Sequence, residues 1–152
     1  MGRSTVMTHI AGEVVIDAAV DKVFDMVADE RNEPRYNPRI VRVEKVSEGP
    51  VGAGARFVAE PKSMGSKGEM TLTILEYDRP HRLRNVVRSS YLQVDGALTF
   101  EKTPGGTRLR WDWDMRLVGP MRVLSPMLAL IGPAWERRNW EGLKEYMEAG
   151  RR

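Results

Sequence analysis

Hydrophobic and charged residues alternate along residues 107–117, which read TRLRWDWDMRL. On an extended chain, the apolar side chains of this segment point to one side and the charged side chains to the other. A period of two over this length is typical of an antiparallel strand with one face towards water and the other towards a core or cavity. Trp111 and Trp113 are therefore predicted to lie on the inward face.

The residues before this strand predict six more strands. A turn signal at 103–106 (TPGG) separates it from a second alternating segment, 91–102, so these two segments are expected to form a hairpin with Gly96 as a bulge. Shorter extended segments are predicted at 10–17, 40–46, 55–60, 70–77 and 83–88. Seven strands result.

Helical spacing is confined to two places. A short helix is predicted at 18–29 with Asp17 as its N-cap, followed by a second short helix at 31–36. A long C-terminal helical region is predicted after residue 120, with Ser125 as N-cap. Pro133 is expected to kink or restart this region, because proline removes a backbone donor.

The order of these elements predicts an α+β helix-grip fold. One strand, two short helices, six strands and one long helix leave a single long helix to cover the apolar face of the sheet. A seven-stranded antiparallel sheet must then curve around the C-terminal helix. A cavity between sheet and helix is the expected consequence.

Composition limits the chemistry. The 152 residues suit a single domain, taken as 1–152. The sequence contains no cysteine, which rules out disulfides, thiolate metal sites and a thiol nucleophile. His9 and His81 are far apart and lack the spacing of a triad or a metal site, so neither a metal nor a cofactor is expected.

The net charge and the N-terminal residues predict which partners the protein binds and where in the cell it lies. The net charge of +3 comes from interleaved basic and acidic residues, which argues against a nucleic-acid partner. The N-terminus lacks the apolar run of a signal peptide, so a cytoplasmic, unprocessed protein is predicted. The apolar stretch 117–135 contains Arg122 and three prolines and is interpreted as a core helix rather than a transmembrane span. Transient membrane contact stays open, as does the choice between monomer and homodimer.

Several motifs resemble those of a known superfamily. Residues 23–57, VFDMVADERNEPRYNPRIVRVEKVSEGPVGAGARF, are similar to the N-terminal signature of SRPBCC (START-like, Bet v 1-like) proteins, especially the polyketide cyclase/dehydrase family 2 branch. The closing strand LRWDWDMRL and the terminal Asn139 and Leu143-Lys144 fit the same pattern. The resemblance covers nearly the whole chain and implies a helix-grip fold with an internal pocket. It does not specify function, because the superfamily includes lipid carriers, hormone receptors and cyclases.

Seven residues are predicted to contact a ligand in such a pocket, although each also has a purely structural explanation. Trp111 and Trp113 would form a flat wall or simply fill the core. Tyr36 would border the pocket mouth, where the family often has tryptophan, or pack on neighbouring prolines. Three of the remaining four are amides predicted to face inward, Asn85, Gln93 and Asn139. The fourth is Trp135, on the C-terminal helix.

The carboxylates on the closing strand are interpreted differently. Asp112 and Asp114 alternate outward with arginines, so a cross-strand charge ladder is expected rather than acid–base catalysis.

Three functions are compatible with these residues. The favoured one is binding of a hydrophobic lipid-, polyketide- or isoprenoid-like molecule in the internal cavity. The alternative is a cofactor-independent polyketide aromatase/cyclase or dehydratase that uses the same cavity, with catalytic residues unknown. The third is a partner-binding domain whose cavity is closed by side chains. Convergence of inward-facing polar groups would favour the enzyme, and a wholly apolar pocket would favour the carrier.

Overall fold

The predicted sheet is present in a computed structural model that describes residues 7–150. Seven antiparallel strands form one sheet in the order β1-β7-β6-β5-β4-β3-β2, so the first strand pairs with the last. The strands are β1 (Thr8–Ile16), β2 (Ile40–Lys45), β3 (Arg56–Pro61), β4 (Met70–Asp78), β5 (Arg82–Arg88), β6 (Leu92–Thr103) and β7 (Gly106–Leu117).

Within residues 7–150, two α-helices and three short 3₁₀ helices accompany the sheet. The α-helices are α1 (Val20–Ala28) and α2 (Ser125–Ala149), and the 3₁₀ helices span Glu30–Arg35, Gly65–Gly68 and Gly119–Leu124. The curved sheet and the long C-terminal helix make up the predicted α+β helix-grip fold. On β7, the apolar residues predicted to face inward are buried except Leu117 at the strand end, which is partly buried, and the charged residues between them are exposed or partly exposed.

Helix ends differ from their prediction. The N-cap of α1 is Ala19 rather than Asp17, whose backbone N–H instead donates to Glu148 on α2. Ser125 is the first residue of α2 and not its cap, and its hydroxyl donates to the Arg122 carbonyl of the preceding 3₁₀ helix. Helix α2 also continues through Pro133 as a single element, because packing of the surrounding turns against the sheet outweighs the lost backbone donor.

Gly96 lies in a regular part of β6, so the predicted bulge is wrong. It pairs with Asn85 on β5 and Trp113 on β7 without a register shift, and the irregularities occur in β2 and β4 instead. A Cβ on Gly96 would overlap both the Trp113 ring and the Asp112 carbonyl oxygen. The glycine therefore makes room for an indole to lie flat across the inner face of the sheet.

The outer face carries the expected charge ladder. Glu13 on β1 pairs with Arg108 and Arg110 on β7, and Arg108 also pairs with Glu101 on β6. Asp112 accepts a hydrogen bond from His9 at 2.6 Å rather than from an arginine, and this contact raises the pKa of His9.

Neither α-helix within residues 7–150 has the length and apolar character needed to cross a bilayer.

Gly96→Ala should destabilise the fold by about 2 kcal/mol or more, because the added methyl group meets backbone and a packed indole. The free energy of unfolding, measured by denaturant titration, tests this. Gly52→Ala is the matched control: a Cβ there meets nothing within 4 Å, and the change should stay within about 1 kcal/mol. Equal effects of the two substitutions would contradict the packing role of Gly96.

Candidate functional site

A cavity of about 190 Å³ lies between the inner face of the sheet and helix α2. Strands β3 to β7 supply its apolar wall, together with the rings of Trp113 and Trp140. The other apolar lining residues are Ile40, Ala59, Met70, Leu72, Val87, Leu92, Val94, Leu98 and Met115. The polar lining residues are Glu30, Glu33, Tyr36, Asn37, Arg39, Asn85, Glu136 and Asn139.

Glu136 connects the helix to the sheet across this cavity. Its Oε1 accepts hydrogen bonds from the indole N–H groups of Trp113 on β7, at 2.7 Å, and of Trp140 one turn further along α2, at 3.1 Å. Burial raises the pKa of Glu136, while the two indole donors and Arg39 oppose that rise and the nearby Glu33 adds to it. The carboxyl group is thus held in a fixed orientation at the cavity wall.

Two more carboxyl groups come from the first 3₁₀ helix, which begins after Asp29. The Asp29 side chain accepts from the backbone N–H of Arg31 at 3.1 Å and sets the start of this helix. Burial raises the pKa of Glu30 well above its usual value, and so do the charges of Glu33, Asp29 and Glu136 and a hydrogen bond with Glu33. Asn37 Nδ2 donates to Glu33 Oε2 at 2.8 Å. Glu30 and Glu33 therefore form a carboxyl pair that holds a proton at pH values where an isolated glutamate is ionised.

Tyr36 ends the same 3₁₀ helix and is buried. Its backbone approaches α2 at Gly142, where a Cβ would lie 2.6 Å from the Tyr36 carbonyl oxygen. Its ring lies 6.5 Å from that of Trp140. Burial and the nearby Glu33, Glu30 and Glu136 raise the Tyr36 pKa well above its usual value, so the hydroxyl stays protonated and can donate a hydrogen bond.

Asn85 and Asn139 line the same cavity with unused hydrogen-bonding capacity. Their exposed fractions are only 7% and 8%, and neither amide oxygen has a partner among the described residues. Because buried polar groups nearly always have a partner, two such amides beside one cavity indicate a place where a bound molecule would supply the missing hydrogen bonds.

The structure brings four of the seven predicted ligand residues to this cavity: Tyr36, Asn85, Trp113 and Asn139. The other three lie elsewhere. Gln93 accepts two N–H groups from Arg116, its partner on β7, on the outer face of the sheet. Trp111 stacks on Trp140 at 6.0 Å within the core. Trp135 is 49% exposed, with the Arg39 guanidinium 5.0 Å from its ring centre. Strand alternation places Gln93 on the outer face, because its neighbours Leu92 and Val94 line the cavity, so its choice as an inward-facing amide conflicts with the period of the strand. Trp111 and Trp135 lie outside the cavity lining because strand and helix spacing define a face but not the extent of the cavity under it.

Sequence reasoning missed the three glutamates. Charged residues within helical segments are normally solvated, and nothing in the local pattern marks Glu30, Glu33 or Glu136 as exceptions. Only the packing of the first 3₁₀ helix against α2 brings them to one cavity.

No group of three or more acidic or histidine side chains within residues 7–150 is arranged to hold a metal ion.

Comparison with solved structures shows the same fold elsewhere. The protein TTHA0849 from Thermus thermophilus superposes with a TM-score of 0.77 at 20% identity, covering 93% of this chain and 98% of that one. A START superfamily protein from Mycobacterium smegmatis gives 0.75 at 16% identity, covering 94% and 97%. The di-domain ARO/CYC StfQ from the steffimycin biosynthetic pathway gives 0.72 at 13% identity, covering 94% of this chain and 51% of StfQ.

Sequence comparison extends the likeness. An uncharacterised protein of Mycobacterium tuberculosis, Rv2574, is 27% identical over 144 residues, which cover 88% of this chain and 82% of that protein. The family model described as "Polyketide cyclase / dehydrase and lipid transport" matches residues 7–148. The predicted family is confirmed: the chain belongs to this polyketide cyclase/dehydrase and lipid transport family.

Proposed function

We propose that this protein binds one small hydrophobic molecule in the cavity between its sheet and helix α2. The observation that carries the proposal is the cavity itself, with an apolar wall from β3 to β7 and a few polar groups on the other side. This combination is typical of small-molecule sites, in which apolar surface supplies affinity and placed polar groups supply orientation. The lipid transport and cyclase activities in the family description support the same class of ligand.

The volume of the cavity limits the size of the ligand that it can hold. At about 190 Å³ it exceeds the roughly 150 Å³ that accommodates benzene in an engineered protein cavity. It is smaller than the roughly 300–1,000 Å³ of sites for drug-sized molecules. A single ring or a short acyl or isoprenoid chain fits this volume, whereas a multi-ring polyketide requires the helix and sheet to move apart.

A second candidate function is a dehydratase or cyclase acting in the same cavity, and the Glu30–Glu33 pair favours it. A carboxyl group kept protonated beside a carboxylate is an arrangement that serves general acid–base catalysis. In a dehydration, the carboxylate would remove a proton from carbon while the protonated carboxyl donates its proton to the departing hydroxyl, which leaves as water. The ARO/CYC description of the structurally similar StfQ agrees with this alternative.

The binding proposal predicts a chain-length limit for a series of 1-alkanols. Affinity should rise about fourfold for each added CH₂ and stop rising when the cavity is full, since each buried CH₂ contributes about 0.8 kcal/mol. Changes in tryptophan fluorescence report the titration, because Trp113 and Trp140 line the cavity. Absence of binding, or affinity that rises without a limit, would overturn binding in a cavity of this volume.

A larger side chain in the cavity should lower the alkanol chain length at which affinity stops rising. Ala59 is buried and lines the cavity, so Ala59→Phe should shift the limit to shorter alkanols. Val58, the preceding residue on β3, points to the opposite face of the sheet, and Val58→Phe should leave the limit unchanged. A limit that moves equally in both variants would place the ligand outside this cavity.

Glu30→Gln should stabilise the folded chain at neutral pH. The raised pKa of Glu30 means that the folded state holds a proton that the unfolded state releases above about pH 4.3, so stability falls as the pH rises from there through the folded-state pKa. Glutamine removes this loss, worth about 1.4 kcal/mol for each unit by which the pKa is raised, and can still donate to Glu33. Denaturant titrations should show the gain at pH 7 and none below about pH 4. A constant difference across this range would contradict a protonated Glu30.

The enzymatic alternative is tested with a short 3-hydroxyacyl thioester. A dehydratase would accelerate loss of water from this compound, and Glu30→Gln would lower kcat about 10²- to 10⁴-fold, the usual contribution of a general acid. Glu44→Gln, at an exposed position on β2, is the control and should retain the rate. Absorbance of the conjugated product measures the reaction, and a rate equal to that of buffer alone would eliminate the dehydratase.

A further inference from the structure

The charged side chains at the cavity are mainly acidic. Glu30, Glu33 and Glu136 line it, and Arg39 is the one basic residue beside them in the part of the chain that the structure describes. The Arg39 guanidinium is already engaged, because it donates to the Trp135 carbonyl at 3.1 Å and lies over the Trp135 ring. The cavity therefore offers a ligand more negative charge than positive.

In the described part of the chain, the three cavity glutamates lack the ion pairs that many carboxylates on the surface form. Across residues 7–150, many surface carboxylates form ion pairs, as Asp25 does with Arg79 at 2.7 Å and Asp95 does with Arg84 at 3.1 Å. None of the ion pairs in this part of the chain includes a cavity glutamate. Carboxyl groups gathered in a partly buried site, with more acidic than basic side chains around it, raise the free energy of the empty cavity.

The two unpartnered amides provide an independent observation. Asn139 lies three residues after Glu136 and so shares its face of α2. Asn85 lies on the other side of Gly96 from Trp113, in the same register and on the same face of the sheet. Because Gly96 has no side chain, nothing on β6 separates Asn85 from the indole that holds Glu136. Both amide oxygens, buried and without partners, are acceptors that a ligand's N–H or O–H groups can satisfy.

We propose that the ligand of this cavity is a small apolar amine, whose ammonium group binds among Glu30, Glu33 and Glu136 while its hydrocarbon body lies against the sheet. The inference rests on the proposed binding function and specifies the ligand's head group. An ammonium group has three N–H donors and no acceptor, which suits carboxylate and amide oxygens. A carboxylate ligand would be repelled by the same glutamates, and an alcohol would leave their charge uncompensated.

The test compares three ligands with the same hydrocarbon chain and different head groups: hexylammonium, 1-hexanol and hexanoate at pH 7. Binding is followed on the full chain by ¹H–¹⁵N NMR, through the indole signals of Trp113 and Trp140 and the side-chain amide signals of Asn85 and Asn139. Hexylammonium should bind at least about tenfold more tightly than 1-hexanol, because hydrogen bonds between charged groups are roughly twice as strong as neutral ones. Hexanoate should bind most weakly.

A substitution that removes the charge of Glu136 tests whether this carboxylate binds the ammonium group. Glu136→Gln keeps an oxygen that can accept from both indoles but removes the negative charge, so it should lower the ratio of hexylammonium affinity to 1-hexanol affinity about tenfold. Glu141→Gln makes the same change five residues later on α2, at an exposed position, and should alter neither affinity. A purely structural effect of Glu136→Gln would weaken both ligands alike, and that result would overturn the proposed role of its charge.

The outcomes separate this inference from the function on which it rests. Equal affinity for hexylammonium and 1-hexanol, or tightest binding of hexanoate, would overturn the amine and leave a general apolar site in place. Absence of signal changes with all three ligands would overturn the binding function itself, and the amine with it.

Discussion

The hydrogen bond that Glu136 accepts from Trp113 joins the C-terminal helix to the closing strand, and a second bond, from Trp140 one turn later on the same helix, orients the carboxyl group. An indole N–H that donates to a carboxylate contributes about 1.5–3 kcal/mol, and here two of them converge on one oxygen. Without these bonds, the tryptophan rings would be free to fill the space between helix and sheet. Glycines complete the arrangement, since Gly96 lets the Trp113 ring cross the sheet and Gly142 lets the backbone at Tyr36 reach the helix.

Charged side chains are arranged differently on the two faces of the sheet. On the outer face, arginines and carboxylates alternate and pair in water, where each pair is weak but satisfied. On the inner side, carboxyl groups share one cavity and burial raises the pKa of two of them. Acidic groups whose pKa values are raised by burial in a cleft often belong to functional sites. This contrast is why the cavity is interpreted as a functional site and not as a packing defect.

The sequence by itself determined the fold, because its signals are local and repeat along the chain. The alternation in residues 107–117, the turn at 103–106 and the helical spacing at both ends depend on backbone periodicity, which the tertiary structure confirmed with small shifts at element ends. Helix caps were less predictable, since Asp17 and Ser125 have capping side chains but take other roles once α2 packs on the sheet. The alternation of apolar and charged residues was also sufficient to predict that the tryptophan-bearing face of β7 is buried.

Only the tertiary structure decided which residues form the site. Asn85 and Asn139 could be selected from the sequence because an amide on an apolar face is conspicuous. Gln93, by contrast, alternates with the cavity residues Leu92 and Val94 and forms its hydrogen bonds with Arg116 on the outer face. The three cavity glutamates look like surface residues of short amphipathic segments. They become cavity residues because a 3₁₀ helix meets a turn of α2 that is distant in the chain. No local pattern encodes that contact, so the physical character of the cavity, apolar on one side and acidic on the other, emerges only when the chain is folded.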